Sequence, residues 1–71
     1  MELRLATTAD APGIAAIIMP IIRAGEAYAI ERTMSEVDAL VYWLGADKET
    51  YVAISGGVIV GTYYLRANQA G

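Results

Sequence analysis

The sequence predicts a single α+β domain of the α/β sandwich type, with elements in the order strand, helix, helix, strand, strand. Three observations carry that prediction. Two runs of β-branched and aromatic residues flank Gly56-Gly57 near the end of the chain, a two-residue turn that tolerates the positive φ of type I′ or II′ hairpins. Upstream, two segments place apolar residues at helical spacing. The opening residues alternate as a short strand does.

Residues 2–6 form the first expected strand, with Leu3 and Leu5 set against Glu2 and Arg4. Thr7-Thr8-Ala9-Asp10 reads as a helix start: a threonine can cap free N–H groups, and Asp10 lies where the helix dipole favours an anion. Pro12 is tolerated in the first turn, where its missing N–H has no intrahelical partner. Ile14, Ile17, Ile18, Ile21 and Ile22 then fall at i, i+3, i+4, i+7 and i+8, one core-facing stripe. Pro20 lies inside that stripe and is expected to kink the helix. Gly25 suits the position just past its end.

Glu26 to Met34 is a polar connection, with Tyr28 and Ile30 available to anchor it. Ser35-Glu36-Val37-Asp38 resembles a capping box with Asp in the place of Glu. The second helix is expected to bury Val37, Leu40, Val41 and Leu44 and to stop at Gly45. Asp47-Lys48-Glu49 reads as a solvated turn into the hairpin over residues 50–66. The second hairpin strand is apolar on both parities, with Val58, Val60 and Tyr64 on one face and Ile59, Tyr63 and Leu65 on the other. Such a strand is normally covered on both sides and paired on both edges. Residues 1–71 are therefore expected to be one partial domain, the first part of a larger one.

Composition excludes several classes. The chain has no Cys and no His, which removes disulfides, thiolate and imidazole metal ligands and imidazole bases. The net charge is −3, and the five basic residues are scattered, so no stripe follows a nucleic-acid backbone. The longest apolar run, Ile14 to Ile22, spans nine residues, far short of a membrane crossing. Met1-Glu-Leu-Arg has no secretory signal character. A cytoplasmic protein without nucleic-acid or membrane partners is the expectation. The hydrophobic fraction of 56% is high for a chain of this size and fits a piece of a larger core.

Few residues point to chemistry. Ser35 and Ser55 are the only serines, and no histidine is present to activate either. Gly56-Gly57 lacks the following Lys-Ser/Thr and helix of a phosphate loop, so a hairpin turn is the better reading. Glu36, Asp38, Asp47 and Glu49 match no calcium-loop spacing and read as solvated surface. No metal site is expected. Gly61 stands alone inside an apolar strand, which marks a bulge, a close approach, or packing under a large neighbour. Glu26, Tyr28, Glu31 and Arg32 share the connection between the helices, a place where a substrate rim is commonly built. Tyr28 and Ile30 would alternatively only fasten that loop to the core.

The segment Leu3-Arg-Leu-Ala-Thr-Thr-Ala-Asp-Ala-Pro-Gly-Ile14 resembles the opening of the GNAT superfamily of N-acetyltransferases, where an Arg-containing strand runs into a Thr-x-x-Asp-Ala-x-x-Ile helix. Tyr51-Val-Ala-Ile-Ser-Gly-Gly-Val-Ile-Val-Gly-Thr-Tyr-Tyr-Leu65 looks like the second and third strands of that fold. The resemblance implies the N-terminal part of an acyl-CoA N-acyltransferase fold with the cofactor-binding half missing. Acetyl-CoA is the implied co-substrate, and nothing here matches its Arg/Gln-x-x-Gly-x-Gly/Ala pyrophosphate loop. No cofactor-binding residue and no catalytic acid or base is assigned, so this 71-residue piece is expected to be inactive by itself.

On the acceptor side the resemblance implies that Glu26, Tyr28, Tyr63 and Tyr64 line the pocket for an amine of a small molecule or peptide. The implied reaction is attack of the neutral amine on the thioester, with a carboxylate or ordered water taking its proton. The competing expectation is a non-catalytic α+β module that completes its sheet as a homo-oligomer, pairing through an exposed strand edge.

Overall fold

A computed structural model describes residues 1–27 and 30–66. It is a small α+β fold, with two helices on one face of a three-stranded antiparallel sheet. The elements are β1 (Glu2–Leu5), α1 (Ala11–Arg23), α2 (Glu36–Trp43), β2 (Lys48–Ser55) and β3 (Val58–Arg66), with a 3-10 turn at Thr8–Asp10 ahead of α1. The strand order is β1-β2-β3. Among the described residues no helix is long and apolar enough to cross a membrane.

The turn at Gly56-Gly57 has φ of 59° and 78°, the pair of positive angles that defines a type I′ hairpin and matches the twist of its strands. The expected positive φ is therefore present at both glycines. One residue of β3 is then skipped. Ile54 pairs with Ile59 but Ala53 pairs with Gly61, leaving Val60 as the extra residue of a bulge beside the strand glycine.

That bulge corrects the expected faces of β3. Simple alternation would group Val58 and Val60 with Tyr64, but the extra residue reverses the parity after it. Ile59, Thr62 and Tyr64 point toward the helices, where Ile59 packs against the core and Thr62 meets Trp43. Val58, Tyr63 and Leu65 lie on the opposite face with Leu3, Leu5 and Tyr51. Arg4 turns to the helix side instead, where it holds Asp10 through two hydrogen bonds of 2.8 and 3.0 Å. Asp10 also accepts from the Thr7 backbone N–H at 2.7 Å, tying β1 to the turn ahead of α1.

The buried core is Ile14, Ile18, Ile22, Ile30, Ala39 and Val52. The α1 stripe is thus largely as expected, except that Ile17 is half-buried and Ile21 is exposed at its margin. α1 continues through Pro20, and the Ala24 N–H still reaches the Pro20 carbonyl at 3.0 Å. Gly13 brings α1 close to β3. A Cβ there would stand 2.7 Å from Ile59 Cδ1.

The expected α2 face is corrected. Val37 and Val41 are 71% and 68% exposed, while Ala39 is fully buried and Leu40, Tyr42, Trp43 and Leu44 are half-buried. The bulky Tyr42 and Trp43 turn toward β3, and α2 rotates to seat them. Ser35 caps the helix as expected, accepting from the Asp38 N–H at 3.1 Å.

The expected solvated turn at 47–49 is also revised. Lys48 opens β2 opposite Arg66, and its side chain is only 3% exposed.

Candidate functional site

The end of α1 sets the site. Gly25 takes φ of 77°; its N–H reaches the Ile22 carbonyl at 2.9 Å, and the Glu26 N–H reaches Ile21 at 3.1 Å. This pair of bonds is a Schellman motif, which needs a glycine at the left-handed position. It reverses the chain so that Glu26 and Ala27 stand over the last turns of α1. The Arg23 guanidinium holds the other side of the connection, donating to the Arg32 carbonyl at 2.6 Å. Ile30 returns to the core.

Beneath this connection lies a cleft of about 350 Å³. It is lined by Ile18, Ile21, Ile22, Ala27, Ile30, Trp43 and Tyr64, together with the exposed Glu26. A mostly apolar cleft with a few polar groups is the usual form of a small-ligand site. Trp43 and Tyr64 meet edge to face with centroids 4.8 Å apart. The Trp43 indole N–H is satisfied by Thr62 Oγ1 at 3.0 Å, and its backbone carbonyl accepts from Thr50 Oγ1 at 2.6 Å.

Behind Tyr64 sits a polar cluster. Its hydroxyl lies 3.4 Å from that of Tyr42, which also accepts from Arg66 Nη2 at 3.1 Å. Lys48 Nζ stands 4.1 Å from the centre of the Tyr42 ring and 3.0 Å from Asp47 Oδ1. The hydrogen bond with Tyr64, then Arg66 and Lys48, draws the Tyr42 phenol below its ordinary pKa. The hydrogen bond with Tyr42, together with desolvation, pushes Tyr64 the other way. The Lys48 side chain lowers the Asp47 carboxyl. Each direction follows from which protonation state the neighbours favour.

Of the four residues expected to line an acceptor pocket, Glu26 and Tyr64 meet in this cleft. Tyr63 does not; it faces away from the helices and stacks on Tyr51 with centroids 5.2 Å apart. Tyr28 lies outside the described residues. Sequence reasoning missed Trp43, Tyr42, Thr62 and Lys48. The adjacent aromatic pair closing α2 was the available signal, since a helix rarely exposes both rings.

The Gly56-Gly57 turn leads into a strand, and among the described residues neither helix follows a glycine-rich loop, the arrangement that binds phosphate groups at helix N-termini. Searches against family models, curated proteins and solved structures find no match for this chain.

Proposed function

We propose that this chain forms the acceptor side of an acetyl-CoA-dependent N-acetyltransferase, and that an amine of a small molecule or peptide docks in the cleft between Glu26 and Tyr64. One observation carries the reading. Glu26, set by the end of α1, and Tyr64, set by β3, line one apolar cleft together with Trp43.

The pieces suit an amine. Glu26 offers charge to an ammonium group at the rim. The faces of Trp43 and Tyr64 attract a cation and accept an apolar body. The resemblance of residues 3–14 and 51–65 to the GNAT superfamily supports the reaction class. Acetyl-CoA, in this reading, is held by residues other than those described.

Trp43 is the only tryptophan, so its fluorescence reports on the cleft directly. Titration of the chain with 2-phenylethylamine is expected to change that emission saturably, and 2-phenylethanol to act more weakly. Glu26→Gln should weaken the amine by roughly tenfold and leave the alcohol unchanged. Equal responses to amine and alcohol, or none to either, would remove the acceptor-site reading.

A further inference from the structure

The sheet face opposite the helices is apolar and uncovered among the described residues. Leu3, Leu5, Val58, Val60, Tyr63 and Leu65 are 59, 55, 62, 53, 42 and 54% exposed; the register places five of them on that face, and Val60 is the extra residue of the bulge between Ile59 and Gly61. Together they present on the order of 600 Å², the upper end of the largest apolar patch on a typical monomer. We propose that this face is closed by the same face of a second copy of the chain, giving a two-fold sandwich of two sheets.

Area and charge favour a second copy. Burying about 600 Å² on each of two copies totals about 1,200 Å², the lower bound of a specific interface. The face is almost free of charge. Its charged side chain is Glu49, which pairs with Leu65 at the end of the hairpin. No positive or negative patch there calls for a partner of opposite sign. An uncharged face best matches another uncharged face, and two-fold symmetry brings identical patches together. The stacked Tyr51 and Tyr63 rings, inclined by only 15°, give the centre a rigid aromatic anchor.

Geometry favours face over edge. β3 presents an outer edge, but the bulge at Val60 interrupts it midway, a device that discourages strand addition. The opposite edge strand, β1, has four residues, too few for an extensive ladder. Two twisted sheets stack readily at about 10 Å.

The cleft lies on the helix side, so closure of this face leaves it open. The inference therefore stands apart from the acceptor-site reading, and either can fail without the other.

Sedimentation equilibrium tests it. At roughly 100 µM, a concentration that populates even weak dimers, the chain should show twice its monomer mass. The double variant Leu5→Glu and Leu65→Glu should return it to the monomer with Trp43 emission unchanged. Val37→Glu with Val41→Glu, on the exposed side of α2, should leave the dimer intact. A wild-type monomer at that concentration overturns the proposal and assigns the face to another segment or partner. So does an oligomer that the α2 variant dissolves and the sheet variant does not.

Discussion

The Trp43 indole N–H donates to Thr62 Oγ1 at 3.0 Å, and Thr62 in turn donates to the Tyr51 carbonyl at 2.8 Å. This relay fixes the end of α2 onto β3 and sets the wall of the cleft. Thr62→Val keeps the shape and removes both partners. It should cost about 1–3 kcal/mol, the usual loss when a half-buried donor is left unmade. Urea denaturation followed by far-ultraviolet circular dichroism measures it. The part of the loss that belongs to the indole should disappear when Trp43→Phe is present as well, because both changes remove the Trp43–Thr62 bond.

Arg4 and Asp10 join β1 to the helix start. The Arg4 guanidinium, followed by the Thr7 backbone N–H, holds the Asp10 carboxyl well below the ordinary carboxylate range. The folded state thus binds fewer protons than the unfolded one in acid. The stabilisation is complete above the unfolded value of about 3.9 and is lost as the pH falls toward the folded pKa. The urea midpoint should drop on acidification below about pH 4, and Asp10→Asn should flatten that dependence while lowering the midpoint at neutral pH. An unchanged acid dependence in the variant would contradict the assignment.

The orientation of α2 gives a paired test. Ala39 is fully buried whereas Val41 is 68% exposed. Ala39→Leu should overpack the helix against α1 and the sheet, costing about 1–3 kcal/mol. Val41→Lys should change stability by no more than about 0.5 kcal/mol. A helix facing the core through Val37 and Val41 would give the reverse order.

Tyr42 should ionise first among the tyrosines whose shifts are described. Its phenolate is favoured by the Tyr64 hydroxyl, Arg66 and Lys48, whereas Glu49 pushes Tyr51 upward and Tyr42 itself pushes Tyr64 upward. Tyrosinate absorbance during an alkaline titration should show an early step that Tyr42→Phe abolishes. The folded chain should gain stability from this group as the pH rises through that step, until the unfolded tyrosine titrates near 10. Loss of the early step in Tyr63→Phe instead would misplace the cluster.

Much of the fold was legible because local chemistry and tertiary packing agree. The paired glycines define the hairpin turn, Ser35 caps α2, and the isoleucines at i, i+4 and i+8 from Ile14 are the buried ones. What sequence reasoning misplaced was decided by non-local geometry. A one-residue bulge moved Tyr63 away from the cleft and Tyr64 toward it, and Gly61 signalled a bulge without fixing its register. α2 has valines at helical spacing, but the bulk and N–H donor of Trp43 set its rotation. Lys48 looks solvated in sequence because burial over an aromatic ring depends on a residue outside its own strand.

The most direct test of the cleft as an amine site is a two-dimensional NMR titration of the chain with 2-phenylethylamine. Saturable shifts are expected at the Trp43 indole N–H and at the Glu26, Ala27, Ile30 and Tyr64 amides, with Tyr63 and the uncovered sheet face unmoved. Glu26→Gln should weaken them. Shifts confined to the sheet face around Tyr63, or none at all, would contradict the amine-site reading.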